Sequence, residues 1–218
     1  TPESPVVPLL RDELAELRKE IAKVYPKAVA TLEGGVYQTS FLEAFQSNFP
    51  EAPQSSQVSL ELGKIYSRLG YETESVEHFL DVWSQAPNAE AQAEAQAGLR
   101  NLVPVLSRLG ALQLLVDQEQ DPELRATALA RLEEMAPEYD EIENGAEYLE
   151  RYPHGPQVVM VRQRLDELAD ALYKKMVIYQ RVGDMAKAVE QARKILTYAP
   201  LSPAAEQLAV DALGDDAA

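Results

Sequence analysis

The sequence predicts an all-α fold in which about five helix pairs stack into a solenoid, closed by a short C-terminal capping helix. Three observations predict it. First, the 218 residues are 46% apolar but only 7% aromatic, with ten glycines, and Ala, Leu, Glu and Gln, all good helix formers, dominate. Second, a turn precedes a proline by 17 residues four times: Glu33 to Pro50, Gly70 to Pro87, Ala136 to Pro153 and Gly183 to Pro200. Each interval holds a turn, a helix of about 13 residues and a proline that stops it. Third, Ser67-Arg68-Leu69-Gly70 recurs as Ser107-Arg108-Leu109-Gly110, with a cousin at Gln180-Arg181-Val182-Gly183. Each predicts a helix closed by a glycine in the left-handed conformation.

The elements follow in order. Residues 1–8, with Pro2, Pro5 and Pro8, predict an extended tether; residues 9–218 predict a single helical domain. The first pair is 9–30 with 36–48, Gly34-Gly35 marking the turn. Leu10, Leu14, Leu17, Ile21, Val24 and Ala28 alternate by four and three, a heptad seam that Pro26 interrupts. That seam is expected to pack on the next helix; the alternative is a helix offered to a second copy or to another partner. The second pair is 53–69 with 72–86, its first helix carrying a stripe of Leu60, Ile65, Tyr66 and Leu69. The third, 89–109 with 111–119, is broken by Pro104, and an irregular pair is expected there. The fourth is 122–135 with 138–152. The fifth is 156–182 with 185–198, where Val161, Leu165, Leu168, Leu172, Met176 and Tyr179 share one face. A final helix over 203–213 closes the array.

Ser59-x-x-Leu62-Gly63-x-x-Tyr66, Ser75-x-x-x-Phe79 and Pro87 together resemble the tetratricopeptide repeat signature. Ser59 and Ser75 stand where the family has Trp and Ala. The last repeat is looser: Leu172, Tyr179, Gly183, Ala188 and Pro200 match, whereas Lys175 and Met176 replace a Leu-Gly pair. The resemblance is specific over 56–87, fair over 169–203 and weak elsewhere. It implies a right-handed solenoid, with small residues (Gly63, Ser75, Ala188) allowing helices to approach and Phe79 and Tyr66 filling the space between them. Phe41-Leu42-Glu43-Ala44-Phe45 leading to Phe49-Pro50, and Tyr148-Leu149-Glu150-Arg151 leading to Tyr152-Pro153, resemble the tetratricopeptide proteins of the bacterial cell envelope. That resemblance implies the periplasm or envelope, with the cytoplasm as the alternative.

The chemistry narrows what such a chain does. With 36 acidic and 20 basic side chains the formal net charge is -16, which repels phosphate backbones, so no nucleic-acid partner is expected. No Cys is present, so thiol catalysis, disulfides and thiolate metal sites are excluded. No apolar run approaches the roughly 18 residues of a membrane span. His154 falls in a turn and His78 on a face read as pointing away from the core, neither at metal-ligand spacing. Glu133-Glu134 and Asp140-Glu141-x-Glu143 read as solvated helix ends, and no phosphate loop, nucleophile elbow or dinucleotide fingerprint is present. No cofactor, metal or catalytic residue is therefore expected, and an enzyme would need a site of unrecognised type.

The remaining reading is a protein-binding module, an interaction scaffold whose partner is a protein or peptide, a second copy included. In the tetratricopeptide family the first helix of each pair lines a concave groove. Carried onto this sequence, the groove candidates are Gln57, Leu60, Lys64 and Arg68, and then Asp170, Tyr173, Lys174, Val177 and Arg181. Lys64, Arg68, Lys174 and Arg181, with Tyr173, would suit an acidic or carboxylate-bearing segment. Lys64 and Val177 occupy the Asn positions of the carboxylate clamp found in chaperone-binding relatives, which argues against a cytosolic co-chaperone.

Overall fold

The computed structural model describes residues 6–30, 35–86 and 88–215. Among these residues it is all-helical, with eleven α-helices, one 3-10 turn and no strand. The chain divides into two compact units, residues 1–104 and 105–218, where the sequence reading had one continuous domain. The division falls at Pro104.

The first unit contains α1 (Val6–Ala30), α2 (Gly35–Asn48), α3 (Ser55–Leu69), α4 (Glu72–Gln85) and α5 (Ala89–Leu102). Helix α1 takes in Val6 to Pro8, which the sequence assigned to the tether; Pro8 is tolerated because the first helical turn has no amide bonds to lose. Residues 1–5 lie outside the described residues. Packing runs α1 on α2, α2 on α3, α3 on α4 and α4 on α5, with α3 also touching α5. Ala22, Leu42, Phe45, Val58, Leu62 and Ile65 form one core, flanked by Tyr25, Phe49, Ala52 and Tyr66.

In this unit the closest packing against a glycine centres on Phe79 of α4. A Cβ built on Gly63 of α3 would stand 3.0 Å from the Phe79 ring, and one on Gly98 of α5 would stand 2.8 Å from it. The ring is therefore clasped between two helices that could not come so close with larger residues. Ser75 reinforces the joint by donating its hydroxyl to the Gly63 carbonyl at 2.8 Å. Ser59 is buried and hydrogen-bonded to Asp81 at 3.1 Å, with the Gln46 amide donating to its hydroxyl. Helix α3 ends at Gly70, whose φ of 79° is left-handed, and the Tyr71 amide closes on the Tyr66 carbonyl.

The second unit contains α6 (Leu109–Gln118), α7 (Pro122–Met135), α8 (Ile142–Arg151), α9 (Val158–Arg181), α10 (Met185–Tyr198) and α11 (Pro203–Asp215). Helix α6 packs on α7 and α8, α8 on α9 and α10, and α9 on α10 and α11. The fourth expected pair is thus rearranged: α8 starts at Ile142 rather than 138, and its main neighbours are α9 and α6. Ile142, Leu165, Ala169, Ile195, Ala199, Ala204 and Ala205 form the core here.

The expected third pair fails at its first helix. Helix α5 stops at Leu102, a 3-10 turn covers Val103–Val105 around Pro104, and Ser107-Arg108-Leu109-Gly110 opens α6 instead of closing a helix. Gly110 accordingly has no positive φ, whereas Gly70 and Gly183 do. The start of α6 is held by Asn144 of α8, whose side-chain oxygen accepts from the Leu109 amide at 3.0 Å and whose NH2 donates to the Ser107 carbonyl at 2.8 Å. Every residue from Leu109 to Val116 is buried. Tyr148 and Tyr152 of α8 and its C-terminal turn add bonds to Gln113 and to the Gly110 carbonyl.

Proline placement is the most regular feature. Helices α2, α4, α8 and α10 end at Asn48, Gln85, Arg151 and Tyr198, each two residues before the proline of its 17-residue interval. Two of these ends carry ring pairs one turn apart, Phe45 with Phe49 at 5.2 Å and Tyr148 with Tyr152 at 5.5 Å.

Candidate functional site

The groove residues expected on α3 do not form one open face. Gln57 and Arg68 are exposed, and Lys64 is half-buried. Leu60 is fully buried, which removes it from any partner surface: α2, α4 and α5 all pack on α3 and enclose its middle turns. Lys64 bridges Glu61 at 3.1 Å and Glu94 of α5 at 2.9 Å. Partial burial works against its ammonium, but the hydrogen bonds to Glu94 and Glu61 outweigh it and hold the pKa above the usual lysine value. Its charge is committed to joining α3 and α5. Arg68 makes no ion pair among the described residues.

On α9 the candidates also separate. Asp170 and Lys174 pair with each other at 2.5 Å. Tyr173 donates its hydroxyl to Asp211 of α11 at 2.6 Å, and that carboxylate holds the phenol above its ordinary pKa. A cleft of about 610 Å³ opens beside them, lined by Asp166, Glu167, Asp170, Tyr173, Ala204 and Gln207. Asp166, Glu167 and Asp170 make this lining acidic beside Tyr173 and Lys174, the two residues expected to hold a carboxylate-bearing segment.

The C-terminal half of α9 differs. Val177 is half-buried, and Arg181 is exposed without an ion pair among the described residues. Beside them stand apolar side chains that the sequence reading did not single out. Ile178 and Val182 at the end of α9, and Met185 and Val189 at the start of α10, are each more than half exposed. Gly183, with φ 80°, makes the turn between them. Asp184 caps α10 and binds Lys187 at 2.9 Å, and Lys187 lies 5.5 Å from the centre of the Tyr179 ring. The signal in the sequence was spacing. Met185 and Val189 are four apart, like Ile178 and Val182, on faces other than those carrying Ala188 and Met176, which are buried.

The two histidines resolve differently. His154 is exposed in its turn, as expected. His78 is not turned away from the core: it is half-buried and stacked on Tyr66, with ring centroids 5.5 Å apart and planes within 7°. Burial holds its pKa below 6.5, against the opposing pull of Asp81, Glu77 and Glu74. Among the described residues no group of three or more His, Asp or Glu is placed to hold a metal ion, and no helix is long and apolar enough to cross a membrane. In the first unit a second cavity, about 540 Å³, is lined by Arg18, Lys19, Ala22, Phe49, Pro53 and Gln54.

No protein-family model matches the chain, and no characterised protein matches it as a relative.

Proposed function

We propose that this chain is a tetratricopeptide-like, non-catalytic module that binds a segment of another protein at the α9–α10 turn. The observation that carries the reading is the exposed apolar group of Ile178, Val182, Met185 and Val189, with Arg181 beside it. Large apolar side chains left exposed on both sides of a turn are a feature of protein-binding surfaces. The occupant that fits is an amphipathic segment that buries its apolar face here and offers a carboxylate to Arg181. Arg181 is the better candidate than Lys174, whose charge is already satisfied by Asp170.

The solenoid reading draws support from three features. Within each unit the main helix contacts join neighbours one or two places apart in the chain, the pattern of a quasi-one-dimensional array. The Phe79 ring clasped by Gly63 and Gly98 supplies the close helix approach that the tetratricopeptide signature exists to allow. The glycine ends at Gly70 and Gly183 match its turn positions. The ring pairs at Phe45–Phe49 and Tyr148–Tyr152 give the aromatic-Pro endings a packing role. On that resemblance we assign the module to an assembly of the bacterial envelope.

The test is site-specific photocross-linking in the native cell from position 178, repeated in Arg181→Glu and Ile178→Asp/Val189→Asp backgrounds with the photoprobe moved to position 182. One protein cross-linked in the wild-type background and reduced at least tenfold in both variants is the expected result. Equal cross-linking in all three places the binding surface elsewhere.

A further inference from the structure

Helix α1 carries an apolar row that nothing among the described residues covers. Its tertiary packing is on α2, through Ala22, 3% exposed, and Tyr25, whose ring stacks on Phe45 at 5.7 Å. Leu14, Leu17, Ile21 and Val24 are 57%, 56%, 39% and 62% exposed. The side chains of Leu10 and Ala28, the ends of the seam expected from the sequence, lie outside the described residues. The expectation that this seam packs on the next helix is therefore overturned. At 100° per residue the row stands on average about a third of a turn from Ala22, so seating Ala22 on α2 leaves the row in solvent.

The row has the spacing of a two-stranded coiled coil. Leu14 and Ile21 take the a positions, Leu17 and Val24 the d positions. That register puts Glu13, Glu20 and Lys27 at g, and Arg11, Arg18 and Tyr25 at e. In a parallel pair, each g residue faces the e residue of the partner's next heptad. Glu13 of one copy then meets Arg18 of the other, twice by symmetry, and Glu20 meets Tyr25. In an antiparallel pair g faces g and e faces e, so at the centre of the seam Glu20 would oppose Glu20 and Arg18 would oppose Arg18. Neither Glu13 nor Arg18 has an ion pair among the described residues, whereas the neighbouring Lys19 and Lys23 are taken by Glu16 and Glu20. At its centre the seam therefore sets opposite charges together in the parallel orientation and like charges together in the antiparallel one.

We propose that α1 pairs with α1 of a second copy of this chain, parallel and in register, through Leu14, Leu17, Ile21 and Val24. The pairing is independent of the partner surface at the α9–α10 turn.

The absence of Cys makes the test direct. Sedimentation equilibrium over a concentration series of the whole chain is expected to show monomer and dimer. Ile21→Asp, a change at an exposed position that leaves helical circular dichroism intact, raises the dissociation constant at least tenfold. Arg18→Glu weakens pairing, and Arg18→Glu with Glu13→Arg restores it. Leu14→Cys gives a disulfide-linked dimer on oxidation, because a residues face each other across a parallel pair, while Lys19→Cys on the outer face does not. A monomer at every concentration, a trimer, a dimer indifferent to Ile21→Asp, or a dimer whose Leu14→Cys stays reduced each overturns the proposal. Ile178→Asp leaves the dimer unchanged, so failure here is distinguishable from failure of the partner-binding reading.

Discussion

His78 shows how a single side chain couples this fold to acidity. Stacked on Tyr66 and half-buried, it favours its neutral form, with a pKa held below 6.5 by burial. As pH falls through 6.5 the unfolded chain takes up a proton before the folded one does, so acid withdraws stability. Wild type is expected to lose more stability than His78→Gln between about pH 7.5 and 5.5, read from thermal midpoints; equal losses would assign the acid sensitivity to other groups. The position of His78 next to Phe79 was plain in the sequence, but its burial was not. Periodicity places a residue on a face of its own helix, and Tyr66 reaches it from α3. Leu60 is the opposite case: its place in the apolar stripe already pointed inward, and three neighbouring helices bury it despite the groove position carried over from the family.

At the scale of elements, stops were more legible than starts. Prolines end helices by chemistry local to the chain, and α2, α4, α8 and α10 end where Pro50, Pro87, Pro153 and Pro200 foretold. The start of α6 depends instead on Asn144, 35 residues away from the Leu109 amide it caps, and no local pattern reports that. Ser-Arg-Leu-Gly could therefore end α3 at Gly70 and open α6 at Leu109. Asn144→Ala would leave both the Leu109 amide and the Ser107 carbonyl without their partner. It is expected to cost about 1–3 kcal/mol in urea unfolding, whereas a cost within about 0.5 kcal/mol, the range of an ordinary surface change, would mean that water replaces the side chain. The apolar turn at Ile178 to Val189 was missed for a related reason. The stripe from Val161 to Tyr179 that defines the helix is its packed face, and the exposed apolar residues leave only two short i, i+4 pairs, Ile178 with Val182 and Met185 with Val189, as a signal.

For the whole chain, the excess of 16 negative charges acts against the compact state through self-repulsion. Raising ionic strength from about 0.01 M to about 0.15 M shortens the screening length from about 30 Å to about 8 Å, and the thermal midpoint is expected to rise over that range. A flat or falling midpoint would show that local pairs such as Lys64 with Glu61 and Glu94 outweigh the general repulsion. Fold class was readable because helix propensity, stripe period and proline spacing agree; the division at Pro104 was readable only as a broken pattern. The cap that Asn144 places on α6 also bears on synthesis. A chain grows from its N-terminus, so Leu109 to Val116, eight residues buried in the finished fold, are made before the side chain that completes their first turn. Until α8 is translated that run has neither its cap nor its α8 neighbour, and the interval between the two is when a chaperone would find it.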